Sequence, residues 1–527
     1  MPFARRAPAA KGPQAPVDPQ MTPAHQQEPG RAGSERASRR FPPYRPLARN
    51  DLEGLHEAVL AVLETVGFAD PIPSCVDILT KAGASYGADN RIRFPRALVE
   101  HAIAVAARGF TLHGQDPRHD MTVQDGNVRY GTAGLAVHLV DAENRVYREA
   151  LLRDIYDAAR LADSLANIHF FQRPMAARDI ADPLELDINT LYACVTGTSK
   201  HIGTSFTVRE NVKPALEMLY MLAGGEEKFR ARPFVSSSSP FVVPPMRFAE
   251  DACGVLEECV RGGIPILLLT TGQAGATAPA SLIGAVVQAV AEVLAGLVYV
   301  NALKPGHPAL FGAWPFGSDP RTGAMAGGSA EQALLTAACA QMARFYDLPG
   351  AAAAGMTAAK LPDFQSGYEK GVTNAMAGLA GPDLVYEAAG MHASLLGFCL
   401  ESLLLDNVVL GHCRRGAQGL DASAAAKCVD AIADVCLKGP GHYIGGAKGS
   451  PPASCEASEL TFGDRLSPKE WCEKGRPDML QNAIAEKKRI LAGYFPRHVA
   501  RAVDDKLRAR FGELIRLPRS AMGYPER

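Results

Sequence analysis

The sequence predicts a (β/α)8 TIM barrel that follows an additional N-terminal helical and β segment. From about residue 150, short apolar runs alternate with longer stretches of helical periodicity in about seven consecutive units. Strands that alternate with helices in this way form right-handed βαβ units and a parallel sheet. Because no Rossmann G-x-G-x-x-G follows any of these strands, the pattern favours a closed barrel over an open doubly wound sheet.

The composition indicates a large globular protein with no strongly charged surface. The chain has 527 residues, of which 47% are hydrophobic, and a formal net charge of -1. A near-zero charge argues against nucleic acid or an acidic membrane as the main partner. The apolar runs are interpreted as too short to span a membrane. The N-terminus "MPFARRAPAAKGP" lacks the hydrophobic stretch of a secretory signal, so we expect a cytoplasmic enzyme.

Four regions are expected along the chain. Residues 1–45 are rich in Pro, Arg, Ala and Gln, a composition that predicts a disordered or loosely draped tail. Residues 46–150 contain three helical patterns, the first with Asp51 as its expected N-cap, followed by short strands and turns. Residues 151–500 form the predicted barrel, and residues 501–527 are expected to be a C-terminal tail.

The ends of the predicted barrel strands are where a site is expected, because active sites of such barrels lie at the carboxyl ends of the strands. The strands are predicted at "NIHFFQRP", "KHIGTSF", "RPFVSSSSP", "IPILLLTT", "PALFGAW", "GAAAAGM" and "DLVYEA". Their ends carry hydroxyls, amides and aromatic rings, without an H-E-x-x-H, a paired-carboxylate signature or a nucleophile elbow. Trp314, between Phe311 and Phe316, predicts an aromatic cage for a quaternary ammonium, with packing against the helix layer as the alternative.

Several longer stretches resemble the trimethylamine:corrinoid methyltransferase family. They are "YDLPGAAAAGMTAAKLPDFQSGYEK", "MAARDIAD", "SKH" at 199–201, and "GATAP" followed by a helix with "AEVLAG". The similarity extends from about residue 50 to about residue 500. The resemblance implies a TIM barrel that moves a methyl group from an amine to the cobalt of a corrinoid carried by a separate protein, with no metal in this chain.

The founding members of that family carry pyrrolysine at the position where this chain has Met356. The branch without pyrrolysine resembles demethylases of quaternary amines, of which glycine betaine is the best-known substrate. A quaternary ammonium already carries its charge and leaves as a neutral tertiary amine, so no general acid or base is required. We therefore expect no catalytic side chain, and a protein that binds, orients and excludes water.

The resemblance and the strand ends together give the expected site residues. The expected substrate-binding residues are Phe171, Arg173, Phe311, Trp314, Phe316, Met356, Gln365 and Tyr368. The expected corrinoid-facing residues are Thr271, Gln273 and His392. Simpler interpretations remain open: Phe171 in the barrel core, Arg173 in a surface ion pair, Gln365 and Tyr368 at a helix N-terminus, and His392 as a satisfied buried histidine.

Other functions also remain open. A sulfonium compound or another methylated compound is a possible substrate, because a sulfonium carries the same fixed charge. A non-catalytic betaine-binding or sensor protein would keep the cage without the reaction. A zinc-dependent methyltransferase is less favoured, since "GHC" at 411–413 and Cys399 lack ligand spacing. The expected partners are the corrinoid protein and a small quaternary amine, with no nucleic acid or membrane, and the chain is expected to form a homo-oligomer.

Overall fold

Eight parallel strands form the centre of the molecule. The structure, a computed structural model, describes residues 43–420, 422–423, 425–439, 441–443 and 462–524. The expected tail therefore lies outside the described residues as far as residue 42. The strands are β1 Arg129–Thr132, β2 Phe170–Gln172, β3 His201–Thr204, β4 Val235–Ser237, β5 Ile266–Thr270, β6 Ala309–Ala313, β7 Ala351–Ala353 and β8 Leu384–Ala389.

The pairing of these strands closes a barrel. The hydrogen-bonded order is β6-β5-β4-β3-β2-β1-β8-β7, and every pair is parallel. The two ends of this series meet where the amide of Phe311 in β6 donates to the carbonyl of Pro349, just before β7, at 2.8 Å. The predicted TIM barrel is confirmed.

Eight helices surround the barrel, one after each strand. They are α1 Leu152–Ser164, α2 Pro183–Gly197, α3 Val212–Ala223, α4 Glu250–Gly262, α5 Leu282–Leu303, α6 Ala330–Phe345, α7 Phe364–Ala380 and α8 Leu400–Gln418. Shorter elements extend the connections: the helix Glu226–Ala231, the turn Arg209–Asn211, and the strands His138–Asp141, Val146–Glu149, Val242–Val243, Arg247–Phe248, Met391–His392 and Gly397–Cys399.

The barrel begins earlier than expected. Strand β1 lies within the region that was assigned to the N-terminal segment, yet it pairs with β2 on one side and β8 on the other. The expected boundary at residue 151 is therefore wrong. The sequence did not identify β1 as a barrel strand, because it is short and follows the Asp125-Gly126 turn. In addition, one of its two partners, β8, lies some 250 residues further along the chain.

The N-terminal segment contains the expected helices and short strands. The helices are Arg49–Thr65, Pro73–Lys81 and Arg96–Val105, with strands at Phe68–Ala69, Ser85–Tyr86, Arg91–Arg93, Thr111–Leu112 and Met121–Thr122 and a turn at Pro117–His119. The first helix begins slightly before the expected cap. Asp51 lies within its first turn and accepts a hydrogen bond from the Ala48 amide at 2.9 Å, which satisfies one of the free donors at the helix start.

Helix α5 is an exception to the expectation that every apolar run is too short to span a membrane. Its 22 residues are long and apolar enough to cross a membrane by length and composition, but 78% of its most apolar window is buried inside the protein. It packs against β5 and β6 on one side and against the three N-terminal helices on the other. A helix that is covered on all sides needs no polar face, so its composition follows from its position in the fold.

The C-terminal region covers the other side of the barrel. Its elements are the helix Ala425–Ala433 with a wider turn at Asp434–Lys438, the helices Pro468–Glu473, Met479–Gly493 and Arg501–Phe511, and a turn at Arg519–Met522. Residues 501–524 were expected to be a tail, but they form packed structure. The Tyr192 hydroxyl in α2 donates to the carboxylate of Asp504, and both side chains are buried.

Candidate functional site

A small cavity opens among the carboxyl ends of the barrel strands, and we call it the mouth cavity. Its volume is about 150 Å³, similar to cavities that hold a molecule of the size of benzene. It is lined by Gly134, Leu135, Gln172, Arg173, Ser205, Ser238, Pro240, Leu267, Leu269, Thr271, Trp314, Phe316, Tyr386, Glu387 and Leu395. The predicted position of the site at the strand ends is where this cavity lies.

Aromatic rings form one wall of the mouth cavity. The rings of Trp314 and Tyr386 have centroids 5.4 Å apart and are tilted by 44°, and Phe316 lines the same space. The indole Nε1 of Trp314 donates to the Ala351 carbonyl at 2.9 Å, which fixes the ring over β7. The alanines of β7 leave the room that this large ring needs, because longer side chains there would compete for the same space.

Arg173 places a buried cation in the cavity. Its side chain is 6% exposed, and one guanidinium nitrogen donates to Ser205 Oγ at 2.5 Å. Burial lowers the pKa of Arg173 from its ordinary value, yet a guanidinium remains charged in proteins. Among the described residues, no carboxylate lies within ion-pair distance of this group. The alternative interpretation, a surface ion pair, is therefore not what Arg173 forms here, and its planar fork is available to a carboxylate.

Glu387 brings a carboxyl group into the same cavity, and sequence reasoning did not select it. Both of its oxygens accept from the Gly134 amide, at 3.2 and 3.3 Å. Burial raises the pKa of Glu387 to about 8, although the Gly134 hydrogen bond acts in the opposite direction. Its φ of 62° interrupts the alternation of β8, so both Tyr386 and Glu387 line the cavity. Strained conformations of this kind are concentrated at functional sites.

The floor of the cavity is polar and tightly packed. The Gln172 amide donates to Ser238 Oγ at 2.8 Å, and that hydroxyl donates to the Thr204 carbonyl at 3.0 Å. Gln172 Oε1 lies only 1.9 Å from where a Cβ on Gly203 would stand. A glycine is therefore required at position 203 for this amide to reach its place.

Two of the predicted aromatic residues lie away from the cavity. Phe311 packs against Tyr346 at the end of α6, with ring centroids 6.2 Å apart. Phe171 is fully buried, but its neighbours Phe170 and Gln172 occupy the interior side of β2. Phe170 contacts Tyr386, and Gln172 lines the cavity. Because side chains alternate along a strand, Phe171 faces the helix layer.

Met356 also lies outside the lining of the mouth cavity. Met356 is fully buried and packs against Gly327. A Cβ added to Gly327 would lie 3.0 Å from the Cβ of Met356. Gln365 donates to Glu369 Oε1 at 2.9 Å, and Thr357 and the Ala358 amide donate to Oε2 of the same carboxylate. This part of the α7 entrance is a hydrogen-bonded turn.

Of the remaining predicted residues, one lines the mouth cavity and three do not. Tyr368 is half exposed on the outside of α7. Thr271 lines the cavity, whereas Gln273 holds the loop after β6, through Ser318 Oγ and the Gly323 carbonyl, both at 2.9 Å. His392 is buried, and its Nε2 pairs with Ser402 Oγ at 2.6 Å, which matches the interpretation as a satisfied histidine.

No group of three metal-ligating side chains occurs in the part of the chain that the structure describes. Cys399 is buried, and its sulfur lies 3.3 Å from Glu401 Oε2. Cys413 is partly buried and points its thiol toward the Gly371 carbonyl at 3.9 Å. The two cysteines that suggested a zinc site thus contact groups at the start of α8 and on α7.

A closed (β/α)8 barrel whose strand ends surround a small cavity with aromatic rings and two buried ionisable groups is typical of enzymes of the α/β-barrel class. The model of the trimethylamine methyltransferase (MTTB) family matches residues 20–512. The chain belongs to this family of methyltransferases, which confirms the resemblance.

Relatives within the family carry two kinds of name. Trimethylamine methyltransferase MttB of Desulfitobacterium hafniense is 28% identical over 462 residues, which are 87% of this chain and 92% of the relative. Trimethylamine methyltransferase MttB of Methanosarcina barkeri is 30% identical over 391 residues, 73% of this chain and 79% of the relative. Glycine betaine methyltransferase of Desulfitobacterium hafniense is 27% identical over 473 residues, 89% of this chain and 97% of the relative. Both names describe methyl transfer from a methylated amine.

Proposed function

We propose that this protein removes a methyl group from a zwitterionic quaternary amine of the betaine type and transfers it to the cobalt of a corrinoid carried by a separate protein. One observation carries the proposal: Arg173, buried and without a carboxylate partner among the described residues, shares a small cavity with Trp314, Tyr386 and Glu387. This combination suits a ligand with an anion at one end and a bulky cation at the other.

The two ends of a betaine match different walls of the cavity. The carboxylate binds the guanidinium fork of Arg173, since paired N–H donors match two carboxylate oxygens. The trimethylammonium group has no N–H and is attracted to ring faces, with Trp the most favourable. Glu387 supplies a negative charge next to the cation when its carboxyl ionises. No ion pair between Arg173 and Glu387 appears among the described contacts, so both groups are available to the ligand.

The size of the cavity limits the substrate. About 150 Å³ is well below the roughly 300–1,000 Å³ of pockets that take drug-sized ligands. A molecule of a few carbon atoms fits, whereas a corrinoid does not. The acceptor must therefore approach from outside, over the rim of the barrel, where Leu135 and Leu396 are 45% and 57% exposed. Thr271, at the end of β5, remains a proposed corrinoid-facing residue.

The chain supplies binding and orientation, and the acceptor supplies the nucleophile. A reduced corrinoid would supply a cobalt(I) nucleophile; as the methyl carbon formed its bond to cobalt, the C–N bond would break with its electron pair on nitrogen and leave a neutral tertiary amine. The protein needs only to hold the nitrogen against the aromatic wall, orient one methyl group toward the mouth and keep water out. Met356 offers no electrophile that would activate a neutral tertiary amine, and its side chain packs against Gly327.

The test is a panel of methylated compounds incubated with the protein and free cob(I)alamin, with methylcobalamin formation read from its absorbance. We expect turnover of glycine betaine and none of trimethylamine. Turnover of dimethylsulfoniopropionate alone would establish the sulfonium alternative. Saturable binding of betaine without any methylcobalamin would instead indicate a sensor and would overturn the proposed reaction.

A further inference from the structure

The outward face of α7 is apolar along its first three turns. Phe364 is 87% exposed, and Tyr368 and Val372 are each 50% exposed. These residues are spaced four apart and therefore lie on one side of the helix. Gly367 and Gly371 lie on the same side, and a Cβ added at either would meet no described atom within 4 Å. The surface is therefore a smooth apolar strip, which we call the α7 face.

The other seven barrel helices are each contacted by the chain's own N-terminal or C-terminal extensions. On α1, Arg160 donates to the Tyr494 carbonyl at 2.9 Å. On α4, the Ser74 hydroxyl donates to Glu257 at 2.6 Å. On α6, Gln341 donates to the Leu47 carbonyl at 2.7 Å. Helices α2, α3, α5 and α8 are likewise packed under N-terminal or C-terminal helices. On α7, the Tyr44 amide donates to the Leu379 carbonyl at 3.0 Å, near the C-terminal end of the helix. Four large apolar side chains of α7 nevertheless remain exposed, at Phe364, Tyr368, Val372 and Leu379.

The area of the α7 face is suited to a contact between proteins. A Phe, a Tyr and a Val exposed to this extent present on the order of 350 Å² of apolar surface, which lies within the roughly 300–600 Å² of the largest patch on a typical monomer, a patch that is often functional. Paired with an identical patch, it gives an apolar centre of roughly 700 Å². With a surrounding polar rim, that centre is typical of a stable interface of about 1,200–2,000 Å² in total.

We infer that the α7 face binds the α7 face of a second copy of this chain about a twofold axis. The strip carries no charged side chain, so it is complementary to itself, as a twofold contact requires. Gly367 and Gly371 allow two helix backbones to approach closely, because no side chain separates them. A corrinoid-bearing partner has to face the mouth cavity, whereas the outward side of a barrel helix faces away from the barrel axis. Phe364 begins α7 at the mouth end of the barrel, and Tyr368 and Val372 lie about one and two turns further down its outward side, away from the rim. This inference does not depend on the substrate.

Sedimentation velocity at micromolar concentration tests the inference. We expect the wild type to sediment as a dimer or an even multiple, and Val372→Glu to sediment at half that mass, because the twofold axis brings two carboxylates together. The matched control is Val146→Glu, at a valine of nearly equal exposure (49%) in the strand Val146–Glu149, and it should keep the wild-type mass. A monomeric wild type, or a Val372→Glu variant of unchanged mass, would overturn the inference.

A second measurement remains informative if Val372→Glu fails to fold. Tyr368→Cys places a thiol in the middle of the α7 face, and a short bismaleimide should link two copies through Cys at position 368, identified by mass spectrometry of the linked peptides. Linkage of that thiol only to other positions of the chain would show that something else covers the face.

Discussion

Trp314, directly after β6, and Tyr386, on β8, have ring centroids 5.4 Å apart in the wall of the mouth cavity, with β7 between the two strands. The alanines of β7 allow this approach, and the hydrogen bond from Trp314 Nε1 to the Ala351 carbonyl fixes it. Two residues that are 72 positions apart in the sequence thereby form one aromatic surface against which a trimethylammonium group can lie.

Replacing Trp314 with Leu should weaken glycine betaine binding by about thirtyfold. A desolvated cation–π contact contributes about 2 kcal/mol, which corresponds to that factor. Isothermal titration calorimetry measures the change. The control is Phe311→Leu, since Phe311 is equally buried but packs against Tyr346 outside the cavity. Equal losses in the two variants would remove Trp314 from the cage.

Replacing Arg173 with Met should weaken the binding of ligands that carry a carboxylate and should not weaken the binding of ligands that lack one. Loss of one partner of a buried charge pair costs about 2–5 kcal/mol, so we expect glycine betaine to bind at least about thirtyfold more weakly. Tetramethylammonium has no carboxylate and should bind at least as tightly as before, because a like charge has left the cavity. Arg209→Met, which breaks a surface pair with Glu258, serves as the control. Parallel weakening of both ligands by Arg173→Met would contradict the assigned role.

Glu387 predicts a pH dependence with a definite sign. Its pKa is raised from 4.5 to about 8, so between these values the folded protein holds a proton that the unfolded chain has released. The stability linked to this proton is present below pH 4.5 and is lost as the pH rises toward 8. Thermal unfolding without ligand measures this effect. The melting temperature of Glu387→Gln, relative to that of the wild type at the same pH, should therefore increase from pH 5 to pH 8.5.

The same group links ligand binding to pH. A bound quaternary ammonium favours the ionised carboxylate, so wild-type affinity for glycine betaine should rise as the pH increases from 6 to 8. The affinity of Glu387→Gln should be nearly flat over this range. Arg173 stays charged throughout and contributes no slope. An identical pH profile in the two proteins would show that Glu387 does not face the cation.

Met356 should be tolerant of substitution. Met356→Leu conserves volume in a buried site, and such exchanges usually cost less than about 1.5 kcal/mol of stability. Because Met356 does not line the mouth cavity, we expect unchanged affinity for glycine betaine, whereas Phe316→Ala should weaken it. Acquisition of trimethylamine turnover or a large loss of betaine affinity in Met356→Leu would place the thioether in the methyl pocket after all.

The sequence predicted most of the barrel because each unit from β2 onward carries its own periodicity. Strand β1 was not recognised as part of the barrel, since its role depends on pairing with β8, and no local pattern records that pairing. Arg173, Trp314, Phe316 and Thr271, which were selected from the strand ends, all line the mouth cavity, because position along a strand is readable from the sequence; their roles stay predictions.

The side of the strand that each residue faces was harder to predict. Phe311 and Trp314 are both large and aromatic, and only the register of β6 decides which of them lines the cavity. Glu387 was not selected because a single carboxylate has no spacing signature. Its positive φ, which brings it beside Tyr386, becomes visible only in the structure.

A crystal structure with glycine betaine bound would show directly how the mouth cavity holds its ligand. We expect the carboxylate of the ligand within hydrogen-bond distance of the Arg173 guanidinium, and the trimethylammonium group within about 6 Å of the centroid of the Trp314 ring. A ligand in the reverse orientation, or one bound outside the mouth cavity, would overturn the proposed binding mode.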